Sequence, residues 1–443
     1  HEMQARSWGR VVRLGKDCIN AFRAGVCRSD VPNVNAMTAN RGMTSAASKP
    51  LRIFLVAGEA SGDVIGGHLM RSLREEVGVR KVEFSGVGGA LMEREGLRSL
   101  FPMTDLSVLG LTELISSLPT LAYRLRQTVK EVVATRPDAV VTIDAKGFSF
   151  RLLSRIQANL GAARPALVQY VAPSVWAYKG ASATHWSGVV DEMLALFPFE
   201  ERFLRSQGIP CTVVGHPVVQ GALGPQHRSA TSRDAQTLRR ECDAPLVALL
   251  PGSRPNEVSR SLPVFLRALS LVPTAPHLDV VVVTIPAVSS LVRPHLASFP
   301  NVRLIDTDDE HQRAAALMAA DVALAVSGSV TLELALASVP AVVCYAANRL
   351  TGFIARRKAA VRWVSLPSIL LDERVFPELL FDEFRAETVA RELRALLSDE
   401  QARRTQQMTL RRVEERLSVG LEPSAIAARA VLATIERRRK ATG

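Results

Sequence analysis

The feature that most constrains the fold is the alternation of short apolar runs with segments of helical length. Each run is followed by a turn or by a stretch of helical pattern, which is typical of parallel sheets with helices on both faces. The strands predicted from these runs cover residues 51–57, 82–87, 139–143, 166–171, 192–197, 211–214, 245–250, 279–285, 302–305, 321–326 and 340–345.

A polar stretch between Gly221 and Ala235 separates the two sets of strands and is the best candidate for a linker. The chain of 443 residues is long enough for two domains. We therefore expect two doubly wound α/β domains, 51–220 and 221–385, that face a central cleft. Residues 386–443 contain no further strand pattern, and we expect them to form helices that pack back on the first domain.

Residues 1–50 carry eight Lys or Arg side chains and three acids, within a net charge of +12 for the chain. This composition, without a long apolar core, favours an organelle transit peptide over a secretory signal. The alternative is a disordered tail or an expression remnant.

The positive charge of the rest of the chain indicates an anionic partner. Because aromatic residues make up only 5% of the chain, nucleic acid is the least favoured of the possible partners.

The cysteines and histidines point to neither a disulfide framework nor a metal. The five cysteines are scattered without a C-x-x-C pair, and the histidines lack metal-binding spacing. A reducing compartment and a site without metal or cofactor are therefore expected.

No apolar run reaches the ~18 residues that a membrane-spanning helix needs.

Two turns in the second half suit an anion. In the first, a buried run ends at Leu250, and Pro251-Gly252-Ser253-Arg254 leads into a helical pattern from about Glu257. Such a junction offers backbone N–H groups and the positive end of a helix dipole, and Arg254 adds a planar fork of donors for phosphate. The alternative is an ordinary turn with a solvated arginine.

The second turn, 326–333, again follows a strand and opens a helix. Ser327, Gly328, Ser329 and Thr331 are small or hydroxylated, so a phosphate can approach them closely. Glu333 falls in the first helical turn, where a carboxylate can accept two hydrogen bonds from a ribose diol. The alternative for Glu333 is the acid of a capping box.

Two carboxylates stand out in the first half. Asp144 follows the strand 139–143 directly, where open α/β sheets place their ligands, although it could instead cap the helix that begins near Phe148. A base in one domain and a diphosphate site in the other suggest group transfer. Asp63 is the expected N-cap of a helix that starts near Val64.

An apolar stripe with a basic end lies between Val108 and Lys130. It matches an interfacial membrane contact, but also a helix that packs on the core, with Pro119 interrupting the pattern. The residues of the proposed membrane surface are Val108, Leu109, Leu111, Leu114, Leu118 and Leu121.

At these motifs the sequence closely resembles the lipid-A-disaccharide synthase family, over about residues 51–385. The matching segments are Val-Ala-Gly-Glu-Ala-Ser-Gly-Asp at 56–63, Tyr-Val-Ala-Pro-Ser-Val-Trp-Ala at 170–177, Leu-Phe-Pro-Phe-Glu at 196–200, Val-Gly-His-Pro at 214–217, Leu-Leu-Pro-Gly-Ser-Arg at 249–254, Ser-Gly-Ser…Leu-Glu at 327–333 and Val-Ser-Leu-Pro-Ser at 364–368.

The resemblance implies two Rossmann-like domains of the GT-B glycosyltransferase type and a metal-independent, inverting reaction. UDP-2,3-diacylglucosamine would be joined to 2,3-diacylglucosamine 1-phosphate (lipid X), giving a β-1,6-linked disaccharide 1-phosphate and UDP near a membrane. The oligomeric state stays open. Two rival hypotheses are a UDP-sugar epimerase and a non-catalytic UDP-sugar binder of the same fold.

The resemblance also implies residue roles. Asp144 would be the catalytic base and Arg254 the essential arginine. The donor site would comprise Gly252, Ser253, Arg254, Ser327, Gly328, Ser329, Thr331, Leu332 and Glu333. The acceptor side and its loops would comprise Glu59, Ser61, Gly62, Asp63, Ser174, Trp176 and His216.

One segment departs from the family pattern. Relatives of bacterial origin usually have Ile-Asp-Ala-Pro-Asp-Phe, where this chain has Ile-Asp-Ala-Lys-Gly-Phe at 143–148. The second acid is lost, so only Asp144 can be the base in this segment. With the basic front segment, this variant resembles the plant or algal organellar branch, and the expected compartment is the mitochondrion.

Overall fold

The computed structural model divides into two compact units. It describes residues 49–106, 111–178, 180–272, 278–299, 302–345, 360–417 and 420–442, with the side chains of 111–117 and 442 outside the description. The first unit runs to Gly215 and resumes at Leu421, and the second is His216–Gly420. The predicted transit segment, apart from its last two residues, lies outside the described residues, as do Val108 and Leu109.

The first unit is built on a parallel sheet of seven strands in the order β3-β2-β1-β4-β5-β6-β7. The strands are β1 (Leu51–Ala57), β2 (Val82–Val87), β3 (Arg98–Ser99), β4 (Ala139–Ile143), β5 (Ala166–Tyr170), β6 (Glu192–Ala195) and β7 (Cys211–Val213). Its helices are α1 (Ala60–Val77), α2 (Ala90–Arg94), α3 (Leu111–Thr135), α4 (Lys146–Leu160) and α5 (Pro198–Ser206).

The second unit has six parallel strands in the order β10-β9-β8-β11-β12-β13. The strands are β8 (Leu246–Leu250), β9 (Asp279–Thr284), β10 (Val302–Asp306), β11 (Val322–Val326), β12 (Ala341–Tyr345) and β13 (Glu378–Leu380). The helices are α6 (Arg228–Arg240), α7 (Pro255–Ser270), α8 (Pro286–Leu296), α9 (Glu310–Ala319), α10 (Val330–Leu336), α11 (Leu366–Leu371), α12 (Ala386–Ser398) and α13 (Glu400–Leu417).

Every strand predicted from an apolar run is present. Every residue of β4, β5, β8 and β11 is buried, which is why these segments read as continuous apolar runs rather than as alternating patterns. The sequence pattern did not predict β3 and β13, which have two and three residues and are too short to carry a hydrophobic period.

The polar stretch expected as a linker is largely helical. Helix α6 occupies most of it and packs against α9, with Thr231 and Ala235 buried between polar neighbours. The hydroxyl of Thr231 donates to the carbonyl of Ala222 at 2.8 Å. Because only Thr231 and Ala235 of this helix are buried, the sequence contains no apolar run here, and its polar composition predicted a linker.

The C-terminal helices are divided between the units, which corrects the expectation that all of 386–443 packs on the first domain. Helices α12 and α13 belong to the second unit, where Val389 and Leu393 join its core. Only α14 (Pro423–Thr442) packs on the first unit, against α1, and its Val431 lies in that core. There the hydroxyls of Ser424 and Ser72 are 2.8 Å apart.

Asp63 does not cap its own helix. Helix α1 begins at Ala60, so Asp63 lies in its first turn, and its carboxylate accepts the N–H groups of Gly89, Leu91 and Met92 at 2.9–3.0 Å. The aspartate thus caps α2. Small residues at 60–62 hid the true helix start, because the apolar pattern begins only at Val64.

Candidate active site

Asp144 lies where β4 ends, at the carboxyl edge of the first sheet. Its side chain is half-buried, and the loop after β1 is in direct contact with its neighbour: a Cβ added to Gly58 would lie 2.6 Å from the Cβ of Ala145. Glu59 and Ser61 of that loop are exposed, whereas Gly62 and Asp63 point into the unit. Of these four predicted acceptor-side residues, two are accessible to a ligand.

The backbone around Asp144 is strained. Asp144 and Ala145 have φ angles of 52° and 42°, and Val171, at the start of the neighbouring loop, has 71°. Each such residue costs on the order of 1–3 kcal/mol, and strain of this kind clusters at functional sites. The N-cap position of α4 is Ala145 and receives no side-chain hydrogen bond, so Asp144 is not the cap of this helix.

Gln169, which sequence reasoning missed, stabilises this strained pair of loops. Its buried amide donates to the carbonyls of Asp144, Tyr170 and Val171 at 2.9–3.2 Å, and its oxygen accepts the hydroxyl of Thr142 at 2.6 Å. A glutamine inside an otherwise apolar buried strand was the available signal, because a buried amide must find partners.

Ser174 and Trp176 belong to a 3₁₀ turn, 174–177, that follows β5. Ser174 is exposed and lies 3.2 Å from the Lys146 ammonium, and Trp176 is half-buried, with its indole N–H on Glu200 at 3.0 Å. Lys146 replaces the proline that relatives usually have at this position. This replacement creates the contact between the start of α4 and the 174–177 turn.

His216 has a structural role. Its Nδ1 accepts the N–H of Val218 at 3.2 Å and caps the 3₁₀ turn that starts at Pro217. Burial lowers the pKa of His216 to about 4, so its imidazole is neutral at pH 7. The hydrogen bond to Val218 does not bring His216 into contact with Asp144, Ser174 or Trp176. Its predicted role on the acceptor side stays a prediction.

The second unit contains a cavity of about 220 Å³ at the carboxyl edge of its sheet. It brings together both predicted turns, which are far apart in sequence. Its lining comprises Leu250, Gly252, Ser253, Arg254, Glu257, Val283, Thr284, Ile285, Arg313, Leu317, Val326, Ser327, Gly328, Ser329, Val330 and Glu333.

The first of these turns is already occupied by a carboxylate. Helix α7 begins at Pro255, and Glu257 accepts the N–H groups of Ser253 and Arg254 at 3.1 and 3.3 Å. The Arg254 guanidinium lies 3.2 Å from the same carboxylate, and its side chain is 64% exposed. These two N–H groups are therefore not free for a phosphate, and Arg254 can offer its side chain instead.

The second turn presents only part of the predicted set to the cavity. Gly328 and Ser329 are exposed and Ser327 is half-buried, whereas Thr331 and Leu332 are fully buried. The Thr331 hydroxyl donates to the carbonyl of Gly328 at 2.7 Å. Thr331 thus stabilises the turn and does not reach a ligand, because it points back into the helix start.

Glu333 is paired with Arg313, a second cavity cation that sequence reasoning missed. The guanidinium donates to both carboxylate oxygens, at 3.0 and 3.3 Å. Burial raises the pKa of Glu333, Arg313 opposes this shift, and Glu310 adds to it. Arg313 lies in the first turns of α9, which follows β10 at the same edge, and that position was the available signal.

The predicted membrane surface is only partly within the described residues. Leu111 and Leu114 lie in α3, but their side chains are outside the description; Leu118 is 54% exposed, and Leu121 packs against the core. Helix α3 continues through Pro119 rather than breaking there. Among the described residues, no helix is long and apolar enough to span a bilayer.

Comparison with known proteins identifies the family. The family model for lipid-A-disaccharide synthetase matches residues 53–431. The chain belongs to the lipid-A-disaccharide synthase family. It is 43% identical over 398 residues to lipid-A-disaccharide synthase of Rhodospirillum centenum, covering 88% of this chain and 96% of the relative. The Paramagnetospirillum magneticum enzyme is 40% identical over 396 residues, covering 88% and 98%. Such membership makes the protein a glycosyltransferase.

Solved structures share the fold at low sequence identity. UDP-GlcNAc 2-epimerase of Methanocaldococcus jannaschii, in complex with UDP-GlcNAc and UDP, has a TM-score of 0.55 at 12% identity and covers 87% of this chain and 99% of its own. The Neisseria meningitidis enzyme bound to UDP-GlcNAc has 0.55 at 13%, covering 87% and 100%. This likeness supports the two-domain GT-B architecture, and the sequence match supports synthase over epimerase.

The residues present could hold an anionic, hydroxyl-rich ligand. Within the ranges that the structure describes, no group of three His, Cys, Asp or Glu side chains is arranged as a metal site. Arg254 and Arg313 supply positive charge to the cavity, and the exposed 328–329 turn allows close approach. In the first unit, Asp144 supplies a carboxylate in a rigid, strained turn.

Two glycines of the cavity should respond differently to alanine. Gly252 has φ 106°, and a Cβ there would lie 2.6 Å from Glu257, whereas a Cβ at Gly328 would meet no atom within 4 Å. Gly252→Ala should cost about 1–3 kcal/mol of unfolding free energy, and Gly328→Ala less than about 0.5 kcal/mol. Urea unfolding measures both; equal losses would contradict the assignment of Glu257 as the cap of this turn.

Proposed function

We propose that the protein transfers the 2,3-diacylglucosaminyl group from UDP to the 6-hydroxyl of 2,3-diacylglucosamine 1-phosphate. The acceptor oxygen forms a bond to the anomeric carbon while the bond from that carbon to the UDP oxygen breaks. Attack from the opposite face inverts the configuration and gives a β-1,6 linkage. The observation that carries the proposal is the arginine-lined cavity, in a chain of this family.

The cavity supports the donor half of the proposal. Arg254 is exposed at its rim, so its guanidinium can turn from Glu257 to a diphosphate and stabilise the charge that develops on the leaving UDP. Ser327, Gly328 and Ser329 would lie along the phosphates. Glu333, oriented by Arg313, would accept hydrogen bonds from the ribose diol.

Asp144 supports the acceptor half. A carboxylate that removes the proton of the attacking hydroxyl contributes roughly 10²–10⁴-fold to such reactions. The Gln169 network and the left-handed turn fix the backbone that carries this carboxylate, which favours the orientation that an in-line attack requires. Exposed Glu59, Ser61 and Ser174 on neighbouring loops would meet the acceptor sugar.

Asp144→Asn should abolish turnover and leave UDP binding unchanged, since the base would be lost but the second unit untouched. Product formation from the two diacylated substrates is measured by mass spectrometry, and UDP affinity by calorimetry. Turnover at the wild-type rate would exclude Asp144 as the base. UDP-sugar binding without any product in the wild type would favour a non-catalytic binder.

Arg254→Ala is the converse variant in the same assays. It should weaken UDP binding by about 2–3 kcal/mol if the guanidinium clamps the diphosphate. Arg260→Ala is the matched control, because Arg260 is an exposed arginine of α7, the helix that Arg254 precedes. A loss below about 1 kcal/mol for Arg254→Ala, the size of an exposed ion pair, would mean that Arg254 stays solvated.

We also propose that the exposed side of α3 around Leu118 and Tyr123 meets the membrane in which the acyl chains lie. Leu118 and Tyr123 are 54% and 61% exposed, so both side chains are accessible to lipid. Arg126 and Lys130 are exposed nearby, whereas Arg124 is held by Asp105 at 2.8 Å. Two of the three basic residues therefore remain available for anionic lipid.

Leu118→Asp should reduce binding to vesicles of phosphatidylcholine with cardiolipin by about tenfold, because an apolar side chain of this size contributes about 1.5–3 kcal/mol when buried. Co-sedimentation measures the bound fraction. Met408→Asp is the control, since Met408 is 57% exposed on α13. Equal losses in both variants would argue against a membrane contact at α3.

The organellar branch and the mitochondrion remain part of the proposal. The support is the basic composition of residues 1–50, which precede the family match at residue 53, and the Lys146-Gly147 variant. Residues 1–50 fused to a fluorescent protein should direct it to mitochondria in plant or algal cells. Cytosolic or plastid fluorescence would contradict this compartment.

A further inference from the structure

The loop that follows β5 is held by one buried carboxylate. Glu200, in α5 after β6, is only 4% exposed. Its Oε1 accepts the indole N–H of Trp176 at 3.0 Å. This hydrogen bond joins the loop after β5 to the loop after β6, at the edge of the sheet that also carries Asp144.

The two carboxylate oxygens of Glu200 accept hydrogen bonds from different groups. Oε2 accepts the N–H groups of Leu196 and Phe197 at 2.9 and 3.0 Å and so caps α5. Capping needs only one oxygen, which leaves Oε1 for Trp176. The indole ring also meets Phe199 edge-on, with ring centroids 4.7 Å apart. Trp176 is thus fixed by a hydrogen bond and by ring packing.

Hydrogen bonds also join the end of β5 and the loop after it to the segment that carries Asp144. The Lys146 ammonium lies 3.2 Å from the Ser174 hydroxyl, and the Asp144 N–H donates to the carbonyl of Tyr170 at 3.0 Å. Residues 173–178 are therefore attached to α4 through Ser174 and to α5 through Trp176.

We propose that Glu200 is a positioning residue of the transfer reaction: through Trp176 its carboxylate holds the 173–178 loop against the segment that carries Asp144. The acceptor then meets an ordered loop, and the entropy of ordering it is not lost on binding. The kinetic consequence rests on the proposed function, whereas the anchoring of Trp176 does not.

The ionisation of Glu200 supplies a way to test this anchor. Burial raises the pKa of Glu200 to about 7, against the opposing effects of the Phe197 N–H, the Trp176 indole, the Leu196 N–H and the Lys146 charge. Protonation turns one oxygen into an O–H donor and a weaker acceptor and removes the negative charge, so the hydrogen bonds from the three N–H groups weaken. We therefore expect the loop to loosen as pH falls through 7.

Other charged or ionisable groups lie near Glu200. Lys146 on α4 is the cation that acts on Glu200, and burial raises the pKa of the Cys211 thiol on β7, which keeps it neutral. On α5 itself, Glu201 is paired with Arg205 at 2.8 Å at the surface. Glu201 is thus a control next to Glu200 in the chain.

The direct experiment follows the Trp176 indole N–H by NMR in the full chain labelled with ¹⁵N-tryptophan. The chain has four tryptophans, and Trp176→Phe assigns the resonance. We expect the resonance to titrate with a midpoint near 7, to lose this titration in Glu200→Gln, and to keep it in Glu201→Gln.

The kinetic experiment separates positioning from folding. Glu200→Gln and Trp176→Phe should each raise KM for the acceptor roughly tenfold, the size of one hydrogen bond to a charged group, and leave KM for UDP-sugar unchanged. Both should remove the fall of kcat/KM below pH 7. Glu201→Gln should behave as wild type. A merely structural role would lower the amount of active enzyme without changing either KM or the pH profile.

Each outcome decides the proposal. An indole resonance that does not titrate, or that titrates equally in Glu200→Gln, overturns it, and so does an unchanged acceptor KM. If Glu200→Gln does not fold, Trp176→Phe decides, because it keeps the cap of α5. If the wild type makes no product from the two diacylated substrates, the proposed function fails while the NMR titration still decides the anchor.

Discussion

The parallel pairing of strands is the constraint on which both units depend. Because a parallel strand must be followed by a crossover, every strand of a sheet ends at the same edge, and the polar turns collect there. Asp144 and the loops around it lie at this edge of the seven-stranded sheet. Arg254, the 327–329 turn and Glu333 lie at the same edge of the six-stranded sheet.

Several polar side chains at these edges already have protein partners. Gln169 stabilises three carbonyls of strained loops, and Glu200 accepts three N–H groups. In the cavity, Arg254 and Arg313 each contact a carboxylate, Glu257 or Glu333. Arg254 is 64% exposed, so its ion pair with Glu257 contributes at most about 1 kcal/mol, and a diphosphate would have to displace only this weak contact.

The sequence predicted the parts of the molecule that depend on local pattern. Apolar runs located the strands, because strands buried on both faces need continuous apolar residues. It failed where a structural role depends on which group a side chain contacts in the folded chain. Asp63 looked like the cap of its own helix but caps α2, Thr331 looked like a ligand group but bonds to Gly328, and the polar segment of α6 looked like a linker.

By itself, the sequence determined the family, the α/β class and the residue types at the strand ends, since these follow from short motifs and from apolar periodicity. Only the tertiary structure decided which of those residues face a cavity and which are used internally. It also revealed Gln169, Arg313 and Glu200, each of which has a partner 20 or more residues away along the chain. Hydrogen bonds between separate strand ends leave no local pattern, and so only the folded chain can show them.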